Sequence, residues 1–327
     1  MSGREDSVRG VIAEEIQKYA DSVTVDTMGN LIAFMAGKSP VKKKLMYAAH
    51  IDEIGFMVTY IEENGFLRFQ TIGGINLVAA AYTHVISENG TCGIVVPEIG
   101  TPVSDLKQEK FMIDIGAKSR RDAERMVSVG DTFAVVSDIV KLAGTKYTGR
   151  PFDDRIGAAI MVEAARQLRE NGGPENDVYF AFTVQEEVGL RGAGTAAYAI
   201  MPDIGIALDV TGGSGDVPGA KSTAVKLGGG AAIKIKDGRV VCDRYLVEKM
   251  KKLAADNKVK YQLVVLVAGG TDTAPMQQTA GGAIAGAISI PTRYIHTSVE
   301  TIDMNDVREC VKLTVLTADA DYSDIVK

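Results

Sequence analysis

Residues 7–20 place Val11, Ile12, Ile16 and Tyr19 at helical spacing, which predicts an amphipathic opening helix. LMYAAHIDEIGFMV then reads as strand. From about residue 55 to 140 the texture changes to short apolar runs, GFMVTYIEE, FLRFQTI, THVIS, CGIVVP and DTFAVV, separated by Gly, Asn and Pro. This stretch predicts a small β-rich unit, with SRRDAERMVSVGD as a short helix stopped by Gly130. After residue 150 long helical patterns alternate with apolar strands. They are a helix at 155–170, strand VYFAFTV, a helix near 190–200, strand IGIALDV, a helix at about 243–256 and strand YQLVVLV. A Gly-rich run, AGGTDTAPMQQTAGGAIAGAISI, and a last helix at about 305–320 stacking Val307, Val311 and Val315 complete the chain. This alternation is the signature of an α/β fold. Strands near 45 and near 180 would share one sheet, so the expected organisation is an α/β domain of residues 1–54 and 141–327 closing around an insertion of residues 55–140.

Composition narrows the classes. With 46% hydrophobic residues among 327, and 42 acidic against 36 basic side chains, the chain can bury a core and is neither disordered nor collagen-like. A net charge of −6 with no basic stripe makes nucleic acid an unexpected partner. The start MSGREDSVRG is polar where a secretory signal needs an apolar stretch, so the expected compartment is the cytoplasm and no membrane partner is expected. Residues 273–292 carry no charge, but Pro275, Gln277, Gln278, Thr279 and several glycines make them buried interior rather than a membrane span. Cys92, Cys242 and Cys310 form no C-x-x-C pair and are read as buried reduced thiols. The glycines at 228–230 and 269–270 do not build a dinucleotide fingerprint; Gly269 and Gly270 are read as letting backbone approach a substrate.

Candidate chemistry gathers at strand ends. His50, in AHIDEIG, closes an apolar run, and Asp52 two residues on falls on the same face of an extended strand. A carboxylate so placed can fix the tautomer of a metal-bound imidazole. Two acid pairs follow, Asp153–Asp154 in GRPFDDRIGAA and Glu186–Glu187 in FTVQEEVGLRGA, each where a strand or turn gives way to a helix. Asp209 ends IGIALDV and His296 lies in YIHTSVE. His84 has no acidic neighbour at ligand spacing and is read as structural. Two imidazoles, several carboxylates and no usable thiolate suit two zinc or cobalt ions bridged by a carboxylate. Without cations, the clustered acids would repel one another.

AHIDEIGFMV, FDDRIGAA, TVQEEVGLRGA, ALDVT, GGTD and YIHTSVE, in this order, resemble the cytosolic dinuclear metallo-aminopeptidases that include glutamyl, deblocking and tetrahedral aminopeptidases, some of which carry an endoglucanase label. The resemblance covers nearly the whole chain. It implies a three-layer α/β catalytic domain with an inserted β-barrel-like dimerisation domain, and dimers assembling into a tetrahedral dodecamer. By the same resemblance, His50 and Asp209 would hold one metal, Glu187 and His296 the other, and Asp153 both. Glu186 would be the general base and Asp52 would orient His50, with a cis peptide between Asp153 and Asp154. The implied activity is removal of the N-terminal residue of peptides by a hydroxide generated with two divalent cations. Two rivals remain at this level. One is a metal-free glycosidase using paired carboxylates such as Glu186 and Asp209, to which the absence of tryptophan is adverse; the other is a non-catalytic metal-dependent assembly or peptide-binding protein.

Overall fold

A computed structural model describes residues 1–220 and 224–325; of the expected α/β stretch, residues 221–223, 326 and 327 lie outside the described residues. The core of the large sheet is a run of four parallel strands, Asp177–Thr183, Lys44–His50, Ile204–Gly212 and Ile284–Arg293, in that spatial order. An antiparallel hairpin, Ser22–Val25 with Leu31–Met35, extends one side, and Glu300–Asp303, Lys146–Gly149 and Val140–Lys141 extend the other. Ala231–Lys236 pairs with both Ile284–Arg293 and Tyr261–Val265 off this path.

The parallel strands read as continuous apolar runs because both faces are covered. In Lys44–His50 every position after Lys44 is buried. Leu45, Tyr47 and Ala49 join one core with side chains of the helices Asp6–Ile16, Phe152–Glu170, Arg244–Asp256 and Met304–Ala318. Met46 and Ala48 face the opposite core, where Ala196, Ala197 and Ile200 of helix Arg191–Ile200 and Met276 of helix Thr273–Gln277 close the third layer. The uncharged stretch 273–292 is thus helix and central strand, and no described helix is long and apolar enough to cross a membrane.

Between Gly55 and Val135 the chain closes a separate barrel, in the order Gly55–Ile61, Leu67–Ile72, Phe111–Asp114, Cys92–Pro97, His84–Ser87 and Thr132–Val135. Its own core contains Phe56, Phe69, Val85, Val95, Phe111 and Phe133. The fold is therefore α/β with a closed barrel beside the main sheet, as expected.

Several local expectations need correction. LMYAAHIDEIGFMV is two strands, Lys44–His50 and Gly55–Ile61, separated by Ile51–Ile54, because its halves belong to different sheets with different cores. The barrel strand Phe111–Asp114 is an addition to the runs anticipated from the pattern. The helix near 120 is a single turn, Arg120–Ala123, capped by Ser119 and ending well before Gly130; Ala123 and the later Val127 both fill the barrel core. The opening helix ends at Ile16, with Ile12 and Ile16 inward and Val11 in solvent. Cys242 and Cys310 are buried as expected, but Cys92 is exposed on the barrel.

Candidate metal centre

The residues converge at the carboxyl ends of the parallel strands, where α/β folds place their ligand sites. His50 is the last residue of its strand and lies opposite Thr183 in register. Beyond Thr183 the chain turns through Gln185, whose φ of 56° is left-handed, and delivers Glu186 and Glu187. Asp209 lies within Ile204–Gly212. Asp153 and Asp154 form the non-helical first turn of Phe152–Glu170, and the peptide between them is cis. His296 follows Ile284–Arg293 with a φ of 64°. A single cleft of about 520 Å³ is lined by His50, Asp153, Glu186, Glu187, Asp209 and His296 together.

The Asp153 carboxylate lies between the two imidazoles. Its Oδ1 is 3.1 Å from His50 Nε2 and its Oδ2 is 3.1 Å from His296 Nε2. Glu187 Oε2 is 3.4 Å from the same His296 nitrogen, and Glu186 Oε2 is 4.0 Å from His50 Nε2. The far nitrogen of each ring faces an acceptor. His296 Nδ1–H donates to the Gly74 carbonyl at 2.7 Å, and His50 Nδ1 faces the Asp52 carbonyl at 3.3 Å and Asp52 Oδ1 at 3.4 Å. With Nδ1 carrying the proton, a neutral ring turns the lone pair of Nε2 towards an anion. That arrangement repels unless a cation lies between the groups or the ring takes a second proton. This donor set of imidazole nitrogens and carboxylates, with Nδ1 held by oxygen, fits divalent metal ions.

Electrostatics carry the same signature. Burial pushes Asp209 up to about 8, and Asp153 and Asp272 add to the rise against the relief given by His50. Burial and the charges of Asp209, Asp272 and Glu187 hold Glu186 well above the usual carboxylate range, while His50 opposes them. Glu187 is raised by burial and by Asp153. His296 resists burial through its contacts with Asp153 and Glu187 and is pushed up to about 11. Asp153, although burial works to raise it, is held low by hydrogen bonds from both histidines. Acids that keep protons beside histidines that gain them describe a cluster of excess negative charge, which cations would relieve.

The surrounding residues show what the sequence reading missed. Asp52, fully buried, does more than face His50: its Oδ1 accepts from Glu186 N–H at 2.9 Å and its Oδ2 from Glu187 N–H at 3.2 Å. Glu300 Oε2 accepts from the N–H groups of Phe152 and Asp153 at 2.7 and 3.0 Å and fixes the entry to the aspartate pair. Asp154 joins His50 and Asp209 in one group able to hold a cation, beside the group of His50, Asp153 and Glu187. Asp272, from GGTD, is buried and accepts from Thr183 Oγ–H. Gly74, which orients His296, belongs to the turn after barrel strand Leu67–Ile72, and nothing in its local sequence signals that role. Gly269 and Gly270 do line the cleft, but a methyl group at Gly270 would meet Arg239 Cγ at 2.6 Å, so that glycine makes room for Arg239. His84 is exposed on the barrel, and the cation-capable groups found among the described residues do not include it.

Known structures share this architecture. The chain superposes on an aminopeptidase, APDkam598, from the archaeon Desulfurococcus kamchatkensis with a TM-score of 0.92 and 36% identity, covering 97% of this chain and 90% of that one. It superposes on the Pyrococcus horikoshii TET1 peptidase, described as assembling into a tetrahedron or a large octahedral shell, with a TM-score of 0.87 and 33% identity, covering 97% and 95%. A Thermotoga maritima protein described as an endoglucanase matches at a TM-score of 0.80 and 30% identity over 98% and 93%. Fold, site and relatives together make this chain a peptidase. A putative aminopeptidase of Acetivibrio thermocellus is 46% identical over 316 residues, 96% of this chain and 93% of the relative. The M42 glutamyl aminopeptidase profile matches residues 29–313, and the chain belongs to that family.

Proposed function

We propose that the protein is a dinuclear metallo-aminopeptidase, with zinc or cobalt as its ions, that removes the N-terminal residue of peptides. The observation that carries this reading is the Asp153 carboxylate with one oxygen on each histidine. His50 and Asp209 would hold one ion, Glu187 and His296 the other, and Asp153 both, with three carboxylates set against four positive charges. When bound, two such cations supply an acidified water and polarise the scissile carbonyl. Glu186, close to His50 but outside the ligand set, takes the proton of the attacking water and returns it to the leaving amine. Asp52 holds His50 and the Glu186–Glu187 backbone in register for that transfer. The cluster of acids gives a free α-ammonium a place to bind, which favours exopeptidase over endopeptidase chemistry.

Chelator-stripped protein should lose turnover of aminoacyl chromogenic substrates, regain it on addition of zinc or cobalt, and ignore substrates with a blocked amine. Undiminished hydrolysis of a glucan in excess chelator would instead establish the glycosidase reading that the endoglucanase-described relative raises. Against that reading, the cleft offers no aromatic platform among its described lining residues, and the chain has no tryptophan on which a sugar ring could stack. Peptide binding without turnover in either metal would favour a non-catalytic protein.

The same reading includes a cytoplasmic location, and assembly of dimers, joined through the barrel, into a tetrahedral dodecamer admitting peptides rather than folded proteins. The assembly of the TET1 relative and the exposed Tyr82, Ile99 and Val103 of the barrel segment support it.

A further inference from the structure

Three consecutive N–H groups, those of Gln185, Glu186 and Glu187, leave the end of strand Asp177–Thr183 and are taken by two buried carboxylates. Asp52 accepts from Glu186 and Glu187, while Glu5 Oε1 accepts from Gln185 at 3.2 Å. Glu5 precedes helix Asp6–Ile16, yet its side chain caps none of the helix N–H groups; it accepts instead from Gly3 N–H at 2.7 Å and from the distant Gln185. Only 5% of Glu5 is exposed, a placement that is costly for a carboxylate unless hydrogen bonds offset it. Ser2 Oγ–H, from the same segment, donates to Asp52 Oδ2 at 2.6 Å.

We propose that Ser2 and Glu5 are positioning residues of the hydrolytic centre, an inference that rests on the metallo-aminopeptidase reading. They act through the turn, without touching substrate. Gln185 is held in the left-handed region, which a residue with a side chain adopts only when its surroundings over-determine it. Glu5 supplies the acceptor that holds that residue, and Ser2 fixes the carboxylate that holds the next two. Released from Glu5, the Gln185 N–H has no acceptor and the turn can relax towards extended backbone. Glu186 and Glu187 would swing together, displacing the base and one ligand while the rest of the cleft stays in place. The segment ahead of the first helix therefore belongs to the machinery of a site otherwise built from strand ends.

The test uses the full chain with Ser2→Ala, Glu5→Ala and Glu5→Gln, read by kcat and KM on an aminoacyl chromogenic substrate, by cobalt affinity in equilibrium dialysis, and by thermal midpoint. Residues supporting ligands from behind typically change affinity or activity by 10–100-fold. Glu5→Ala is accordingly expected to lower kcat about tenfold and to weaken cobalt binding by a similar factor, with KM within about twofold. Ser2→Ala, which removes one hydrogen bond, should lower kcat roughly threefold while lowering the midpoint by no more than a few degrees. Glu5→Gln keeps an oxygen able to accept both N–H groups and should restore most of the loss. Unchanged kcat and cobalt affinity in Ser2→Ala and Glu5→Ala, with an active wild type, would overturn the proposal. So would losses that follow the thermal midpoint alone and are not rescued by glutamine. Should Glu5→Ala not fold, Ser2→Ala decides by the same criteria. A wild type that neither binds cobalt nor cleaves the substrate would condemn the parent reading, and this inference with it.

Discussion

At the scale of single residues, Glu186 and Glu187 show how neighbours acquire different tasks. Glu187 lies 3.4 Å from the ring of His296, whereas Glu186 reaches only to 4.0 Å from His50, and burial, together with the neighbouring acids, keeps its proton affinity high. Glu186→Gln should therefore keep its metal content in elemental analysis while losing at least about 10²-fold in kcat, the usual scale for a general base. Near-normal turnover by the metal-loaded variant would remove Glu186 from that role. The cluster also sets a pH dependence. Asp209 is raised by burial from an ordinary 3.8 to about 8, so between those values the native state holds a proton that the unfolded chain gives up. Its contribution to stability is complete at low pH and is lost as pH rises through about 8; His296, raised from 6.5 to about 11, contributes in the same direction at higher pH. In excess chelator the thermal midpoint should fall from pH 5.5 to 8.5. With zinc present, the slope should flatten or reverse, since cations favour the deprotonated ligands. A chelated protein whose midpoint rises over that range would contradict the assigned shifts.

At the scale of elements, the site depends on how tightly helix Arg191–Ile200 docks behind the Gln185–Glu187 turn. A methyl group at Gly192 would lie 2.3 Å from Asn30 Oδ1 and 2.5 Å from the Val184 carbonyl oxygen. Asn30 itself accepts from Val184 N–H and donates to the Gly192 carbonyl, which ties the hairpin at the sheet edge to this turn. Alanine normally favours a helix over glycine by about 1 kcal/mol. At Gly192 the clash should outweigh that gain, so Gly192→Ala is expected to lower the thermal midpoint and kcat together; a more stable variant would show that the backbone there can yield. The barrel has a comparable influence from the other side, because its Gly74 carbonyl holds His296 in the orientation that turns Nε2 inward.

At the scale of the whole molecule, the barrel and the α/β body have separate cores, and the barrel segment presents Tyr82, Ile99 and Val103 at 72, 100 and 69% exposure. Side chains of that kind in one segment suit contact with further copies. Light scattering is expected to give the mass of twelve chains, and Ile99→Asp with Tyr82→Asp should reduce it to smaller species while circular dichroism keeps the native α/β signature. A monodisperse monomer at micromolar concentration would rule out the proposed assembly.

The one-dimensional pattern was sufficient for the alternation of helix and strand after residue 150, the β-rich insertion, and the placement of His50, Glu186 and Glu187 at or just beyond strand ends, because periodicity and turn chemistry are local properties; Asp209, expected to end its strand, lies inside one that runs on to Gly212. It joined Lys44–His50 to Gly55–Ile61, since two adjacent apolar runs look like one until each has a core to enter. Asp52 could be paired with His50 by spacing alone, but its grip on the Glu186 and Glu187 amides spans more than 130 residues and exists only after folding. The same holds for Gly74 on His296, Glu300 on Asp153 and Glu5 on Gln185. Residue type and spacing thus determined which side chains could serve a metal centre. Tertiary structure alone decided which carbonyls and carboxylates aim them, because buried hydrogen bonds are satisfied across the fold and leave no periodic trace along the chain.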